Sequence, residues 1–321
     1  LKNSRPFENN QLRCYSILIF LIRKSYQGVD VNILIIANPI ASGGDAGKRA
    51  GILAAILKRR GHQPEIYLTR FAGDGKQHVS AISQDAFDRI VVVGGDGTLN
   101  EIINGVPENL SIPLVQFPTG NANLLAKDLR LPKSPAGTAD LIENGRVIWA
   151  DVAEMNGMKF IMIAGAGFDA KVTERLKAVR TGRVSNLSYA MPVLRTLRSG
   201  PRVMFHVTVD DRRQAKGEIV LACNVRSYGG ICEMAFDAGV DSGCLDIVVL
   251  PKESAFSISR YFFMARFSRI TRLKGVTYLK GRQVTITADT PVPMQVDGDF
   301  AGRFPEVRIS LKPNCLPILV P

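Results

Sequence analysis

The sequence is short of everything that marks a histidine metal site, a disulfide framework or a membrane span. Its three histidines, His62, His78 and His206, lie far apart and form no HExxH, which argues against a histidine-built metal centre and a Ser-His-Asp triad. Five cysteines (Cys14, Cys223, Cys232, Cys244 and Cys315) make no CxxC pair and no even framework, so they read as reduced thiols of a cytosolic protein. The apolar run CYSILIFLI, Cys14 to Ile22, is nine residues, too short to cross a bilayer, and no clear small-residue cleavage site follows it. No methionine precedes Met155; the expectation is that the true start is missing or misplaced, and residues 1–30 are given no role. There is no internal repeat, RNA-binding signature or zinc-finger spacing, so no nucleic-acid partner is expected.

What is there fits an ordinary globular protein: 321 residues, 46% apolar and 22% charged, enough for two domains or one large one. The net charge of +12 is not ordinary. It is either a solubilising surface or the footprint of an anionic partner such as a nucleotide or a membrane.

From Val31 strand and helix alternate four times. VNILIIANP, PEIYLT, RIVVVGG and IPLVQFP read as short buried strands; AGKRAGILAAILKRRGH, TLNEIINGV and NANLLAKDLRLP read as helices that follow, and FAGDGKQHVSAISQ as a loop and then a helix. That order predicts an α/β domain over 31–150, a parallel sheet with helices on both faces. Beyond Trp149 the pattern turns to strands and tight turns, with Asn156-Gly157 and Asp210-Asp211 as hairpin signals. The expectation is a β-rich, sandwich-like domain over 151–299, then a segment, 300–321, returning to the first domain.

Three loops at strand ends, NPIASGGDAG, GGDGT and PTGNAN, are rich in Gly, Ser, Thr and Asn and each precedes a helix. Free backbone N–H groups at such places suit phosphate. Gly43, Gly47 and Lys48 fail as a Walker loop, because only three residues separate the glycines and Arg49 replaces Ser or Thr. Gly165-Ala166-Gly167-Phe168-Asp169-Ala170 fits a lone GxGxxA, a weak sign of a dinucleotide site. The carboxylate inside Gly94-Gly95-Asp96-Gly97-Thr98 is the odd feature, since glycine loops usually attract anions.

GGDGTLNEIINGV, preceded by NPIASGG and followed by PTGNANLLAKDL, resembles the diacylglycerol kinase catalytic domain, a family that includes bacterial lipid kinases and sphingosine kinases. The likeness runs from about Val31 to the C-terminus through ADVAEMNG, AGAGFDAKV, RSYGG, DSGCLDIVVL and QVDGD, in family order. GGDGT alone is shared with NAD kinases and loosely with phosphofructokinases; the ordered set is far more specific.

The resemblance implies an NAD kinase/diacylglycerol kinase-like fold, ATP as phosphoryl donor in the first domain, and lipid at the cleft between domains. By motif, Asn38, Thr69, Gly94, Gly95, Asp96, Gly97, Thr98, Leu99, Asn100 and Asn121 fall at nucleotide-binding positions, with Asp96 acting through nucleotide-bound Mg²⁺. A divalent cation between carboxylate and polyphosphate accounts for the odd acid. Asn121 stands where the family has Thr. Asp299, ending Gln295-Val296-Asp297-Gly298-Asp299, takes the place of the family's proton-accepting Glu, one methylene shorter; without the resemblance this segment reads as a hairpin turn with incidental acids. Gly239, Ser242 and Cys244 match a structural Mg²⁺ loop of some bacterial members, with Ser242 in place of the carboxylate.

The stretch 254–275, SAFSISRYFFMARFSRITRLKG, reads as an amphipathic helix with Phe256, Phe263, Phe267 and Ile270 on one face and Arg269 and Arg272 on the other. Either the aromatic stripe packs on the second domain or the helix meets an anionic membrane; a second basic stretch, KVTERLKAVRTGRVSN, reads the same two ways. The expectation is therefore an ATP- and Mg²⁺-dependent lipid kinase acting on diacylglycerol or a related membrane lipid, cytoplasmic and peripheral to the inner face of the membrane. Two alternatives stay open: an NAD kinase-like phosphotransferase, and a nucleotide- or lipid-binding protein whose activity has decayed.

Overall fold

The computed structural model describes residues 30–108, 110–179, 196 and 202–321. The second basic stretch lies partly, and CYSILIFLI wholly, outside them. Four strands, β1 (Asn32–Ala37), β2 (Gln63–Leu68), β3 (Arg89–Gly94) and β4 (Leu114–Pro118), pair in parallel in the order β2-β1-β3-β4. β1, β3 and β4 are buried along nearly their whole length, as β-branched runs covered on both faces should be. Five helices cover them: α1 (Asp45–Arg59), α2 (Asp74–Ser80), α3 (Asp96–Gly105), α4 (Leu124–Asp128) and α5 (Pro135–Asn144). α1 buries Ala46, Ala50, Leu53, Ala54 and Leu57, spacings that line one helical face.

The remaining elements are β5 (Arg146–Met155), β6 (Met158–Phe160), β7 (Ile163–Ala166), α6 (Phe168–Val179), β8 (Phe205–Val209), β9 (Arg213–Gly217), β10 (Ile219–Cys223), β11 (Ser227–Tyr228), β12 (Cys232–Glu233), β13 (Leu245–Leu250), α7 (Ala255–Ala265), β14 (Thr277–Gly281), β15 (Gln283–Val296) and β16 (Asp299–Val320). Asn156 and Gly157, and likewise Asp210 and Asp211, have positive φ and close the β5–β6 and β8–β9 hairpins.

The sheet does not stop between the two regions. β16 is 22 residues long; it pairs with β15 near its start, and further on lies parallel to β4 at Ile318 and antiparallel to β5. One 14-stranded sheet results. Its parallel and antiparallel parts share this strand, which joins the β-rich region to the first.

The aromatic stripe is arranged differently from the sequence expectation. α7 ends at Ala265, and Ile270 sits in a separate 3-10 turn, fully buried. Ile258, Tyr261 and Ala265 face the core, while Phe256, Phe263 and Phe267 are exposed, as are Arg269 and Arg272. The Gly165–Ala170 segment also finds its reason. A β-carbon at Gly165 would lie 2.8 Å from the Gln295 side chain and 3.0 Å from Asp169, so close internal packing demands the glycine.

Candidate active site

Parallel strands deliver their C-terminal ends to one edge, so Asn38, Thr69, the 94–98 loop and the 118–123 loop arrive together. Two of these loops touch through bare backbone. A β-carbon on Gly120 would stand 2.7 Å from the Gly95 α-carbon, and one on Gly94 would stand 2.5 Å from the Thr98 side chain. The Thr119 N–H donates to Gly94 O at 3.0 Å. Asn123, at φ 47, accepts from the Gly120 N–H at 3.1 Å and clamps the second loop. The Asn38 side chain accepts from the Ile40 N–H at 3.2 Å, holding the first. Buried Thr69 lies beside Gly75, whose N–H donates to Glu101 on α3 at 2.8 Å.

Asp96 opens α3. Its carboxylate accepts from the Leu124 N–H at 3.0 and 3.2 Å. Desolvation, then the like charge of Asp297, push its pKa up to about 6, against the pull of the Leu124 and Asn123 backbone. A carboxylate held in that state fits a divalent cation, which would relieve both causes of the shift.

Asp297 and Gly298, with φ of 48 and 90, form the two-residue turn between β15 and β16. Asp297 is no incidental acid. Its carboxylate accepts from the N–H groups of Ile161 at 3.2 Å, Met162 at 3.0 Å and Ile163 at 2.9 Å, and from the Asn100 amide at 2.9 Å. Desolvation still raises its pKa. The turn is thereby pinned to α3, and the exposed Asp299 begins β16 just beyond it. Asp299 Oδ2 lies 3.8 Å from where a β-carbon on Gly97 would be. The candidate base and the glycine loop are thus close neighbours contributed by the two lobes.

Three of the expected contacts also have partners within the protein. Leu99 is 2% exposed, packs in the core, and its N–H donates to Gly95 O. The Asn100 amide is spent joining the lobes, through Asp297 and Lys159 O. Thr98 is buried against Gly94. Gly94, Gly95, Asp96, Gly97 and the exposed Asn121 line the edge itself.

The 239–244 loop is closed on itself. Gly239 O accepts from the Ser242 N–H, the Ser242 hydroxyl donates to Cys244 O at 2.9 Å, and Arg282 Nε donates to Gly243 O at 2.7 Å. Asp151 accepts from the N–H groups of Gly243 at 2.6 Å and Asn314 at 2.8 Å. With a guanidinium at the loop and a hydroxyl in place of the carboxylate, this donor set does not fit a hard dication. Among the described residues no cluster of three or more His, Cys, Asp or Glu is placed to hold a metal.

Sequence reasoning missed the support beneath the turn. Gln295 accepts from the Gly298 N–H and donates to Asp169, each at 2.8 Å, and the Tyr228 hydroxyl donates to Asp169 at 2.6 Å. Desolvation raises the Asp169 pKa, and both donors oppose it. The three residues sit in motifs already singled out, GAGFDA, RSYGG and QVDGD, but only the fold brings them together.

Comparison with known proteins bears on the fold and the family. The Diacylglycerol kinase catalytic domain matches residues 32–155, and the YegS C-terminal NAD kinase beta sandwich-like domain matches residues 162–320. Diacylglycerol kinase of Staphylococcus epidermidis is 27% identical over 281 residues, 87% of this chain and 89% of that protein. Its namesake from Staphylococcus saprophyticus is also 27% identical, over 87% and 92%. The crystal structure of a diacylglycerol kinase from Bacillus anthracis str. Sterne superposes with a TM-score of 0.73 at 23% identity, covering 91% of this chain and 98% of that one. A second chain from that organism reaches 0.77 over 92% and 98%. The fold, the paired domains and the ordered motifs agree: the chain belongs to the diacylglycerol kinase catalytic domain family, kinases that phosphorylate an alcohol group.

Proposed function

We propose that the protein transfers the γ-phosphoryl group of ATP to a hydroxyl of diacylglycerol or a related membrane lipid, with Mg²⁺. The observation that carries this is Asp299, on the second lobe, facing the 94–98 loop of the first at Gly97. Backbone N–H groups of the glycine loops receive the phosphates. Nucleotide-bound Mg²⁺, when present, screens phosphate charge and is met by Asp96. Asp299 accepts the proton of the acceptor hydroxyl as its oxygen bonds to the γ-phosphorus and the bond to the β-phosphate oxygen breaks.

In this reading the protein works as a peripheral protein at the cytoplasmic face of an anionic membrane, where its net charge of +12 favours association. No described helix is long and apolar enough to cross a membrane. The test is labelled ATP with purified protein and a panel of detergent-dispersed lipids, with NAD as the soluble acceptor control. Labelled lipid is expected from the wild type. Asp299→Asn should keep ATP affinity while turnover falls by about 10²–10⁴. Transfer to NAD alone, or full activity in the variant, contradicts the proposal.

A further inference from the structure

We infer that the edge built from α7 and the loop between β11 and β12 is the surface that docks on an anionic lipid bilayer. The inference rests on the lipid-kinase reading and assigns it a contact surface.

Four large apolar side chains point into water here: Phe256 at 78% exposed, Phe263 at 63%, Phe267 at 58% and Ile231 at 67%. They are not a loose core. The opposite face of α7 is seated by Ile258, Tyr261 and Ala265, and Phe263 and Phe267 meet edge-on at 5.4 Å. Ile231, Phe267 and Arg266 border one open cleft of about 500 Å³, which joins the loop to the helix in a single edge. Leaving clustered phenyl rings in water is unfavourable, so such a patch points to an apolar partner.

Charge selects the bilayer. From residue 254 to 288 the chain carries Arg260, Arg266, Arg269, Arg272, Lys274, Lys280 and Arg282 and no acid. Arg260, Arg266, Arg269 and Arg272 are exposed in the same stretch as the phenyls, and Arg266 borders the cleft with Phe267. Glu233 is the acid at the cleft, and it accepts from Ser268 at 2.9 Å. Rings that enter the acyl boundary with arginines at headgroup level are what an anionic interface binds.

The edge also adjoins the site. Lys127 of α4 reaches Gly230 O at 3.5 Å, and the first N–H of that helix, Leu124, holds Asp96. Tyr228, beside Phe262 in α7, starts the chain through Asp169 and Gln295 to the Asp299 turn. Contacts thus link this edge to Asp96 on one side and to the Asp299 turn on the other.

Co-sedimentation of the full chain with vesicles of phosphatidylcholine, alone or mixed with phosphatidylglycerol, tests the assignment. Binding is expected only to the mixed vesicles and should weaken with salt. Phe256→Ser/Phe263→Ser/Phe267→Ser should lower partitioning by about tenfold or more, and Arg266→Glu/Arg269→Glu by at least about tenfold. ATP affinity and melting temperature of each variant serve as the folding control. Independently, Phe263→Trp in a Trp149→Phe background should show a blue-shifted indole on adding anionic vesicles. Unchanged binding in the variants, no spectral shift, or an edge that instead mediates dimerisation in solution overturns the assignment. Loss of lipid phosphorylation on vesicles but not in detergent supports it. Binding through this edge by a wild type that phosphorylates no lipid upholds the surface and removes the kinase reading.

Discussion

Asp96 should be a residue kept at a cost to the fold. Its pKa rises from 3.8 to about 6 on folding, through desolvation and then Asp297. Between those values the unfolded chain has already lost a proton that the native state retains, so stability falls as pH rises through this window and stays lowered above it. At about 1.4 kcal/mol per pKa unit the cost near neutral pH is about 3 kcal/mol, and relaxation reduces it to roughly 1–3 kcal/mol. Asp96→Asn removes the charge yet keeps an acceptor for the Leu124 N–H. The variant should melt about 2–8 °C above wild type at pH 7.5 without nucleotide, with roughly half that gain at pH 5. Its turnover should fall sharply, and Mg²⁺-ATP should stabilise it less than wild type. Thermal melts across pH, with and without Mg²⁺-ATP, read all three. A variant less stable than wild type at pH 7.5, or a gain that grows on acidification, refutes the reasoning.

Further expectations follow from the contacts. Gly120→Ala places a β-carbon 2.7 Å from the Gly95 α-carbon, so it should cost roughly 1–3 kcal/mol in denaturant titration and weaken ATP binding, whereas Gly157→Ala, with open space but φ of 86, should leave ATP binding alone. Tyr228→Phe removes a donor from Asp169 and should lower stability by about 1–3 kcal/mol; because Asp169 steadies the Asp299 turn through Gln295, kcat should fall more than KM changes. EDTA should leave the melting temperature of nucleotide-free protein unchanged, while Arg282→Ala, which removes the donor to Gly243 O, should lower it; a drop with EDTA restored by Mg²⁺ contradicts the closed 239–244 loop.

Much of the fold was legible because local pattern and global position agreed. Apolar runs such as ILIIA and IVVVG have one stable place, inside a covered parallel sheet, and the glycine loops that follow them mark its C-terminal edge. α5 went unread although Ser134, whose side chain accepts from Gly137 N, and Pro135 form a helix start. Other features are tertiary. Gln295 and Asp169 are 126 residues apart and Asp297 and Asn100 are 197 apart, distances over which periodicity carries no information. β16 crosses prolines at 305, 313 and 317, residues that donate nothing to a strand ladder; in the fold, register shifts between Lys312 and Leu316 accommodate the middle one. The aromatic stripe was misread for a similar reason. Helical spacing grouped Ile270 with the phenylalanines, but α7 stops before it and the core takes Ile270 alone.

The most direct measurement is a crystal structure with Mg²⁺ and a non-hydrolysable ATP analogue. The account predicts phosphates against the Gly94–Thr98 backbone, Asp96 turned to the cation, and Asp299 facing the terminal phosphoryl across the space of one hydroxyl. Phosphates bound elsewhere, or Asp299 turned away from the γ-phosphorus, would contradict it.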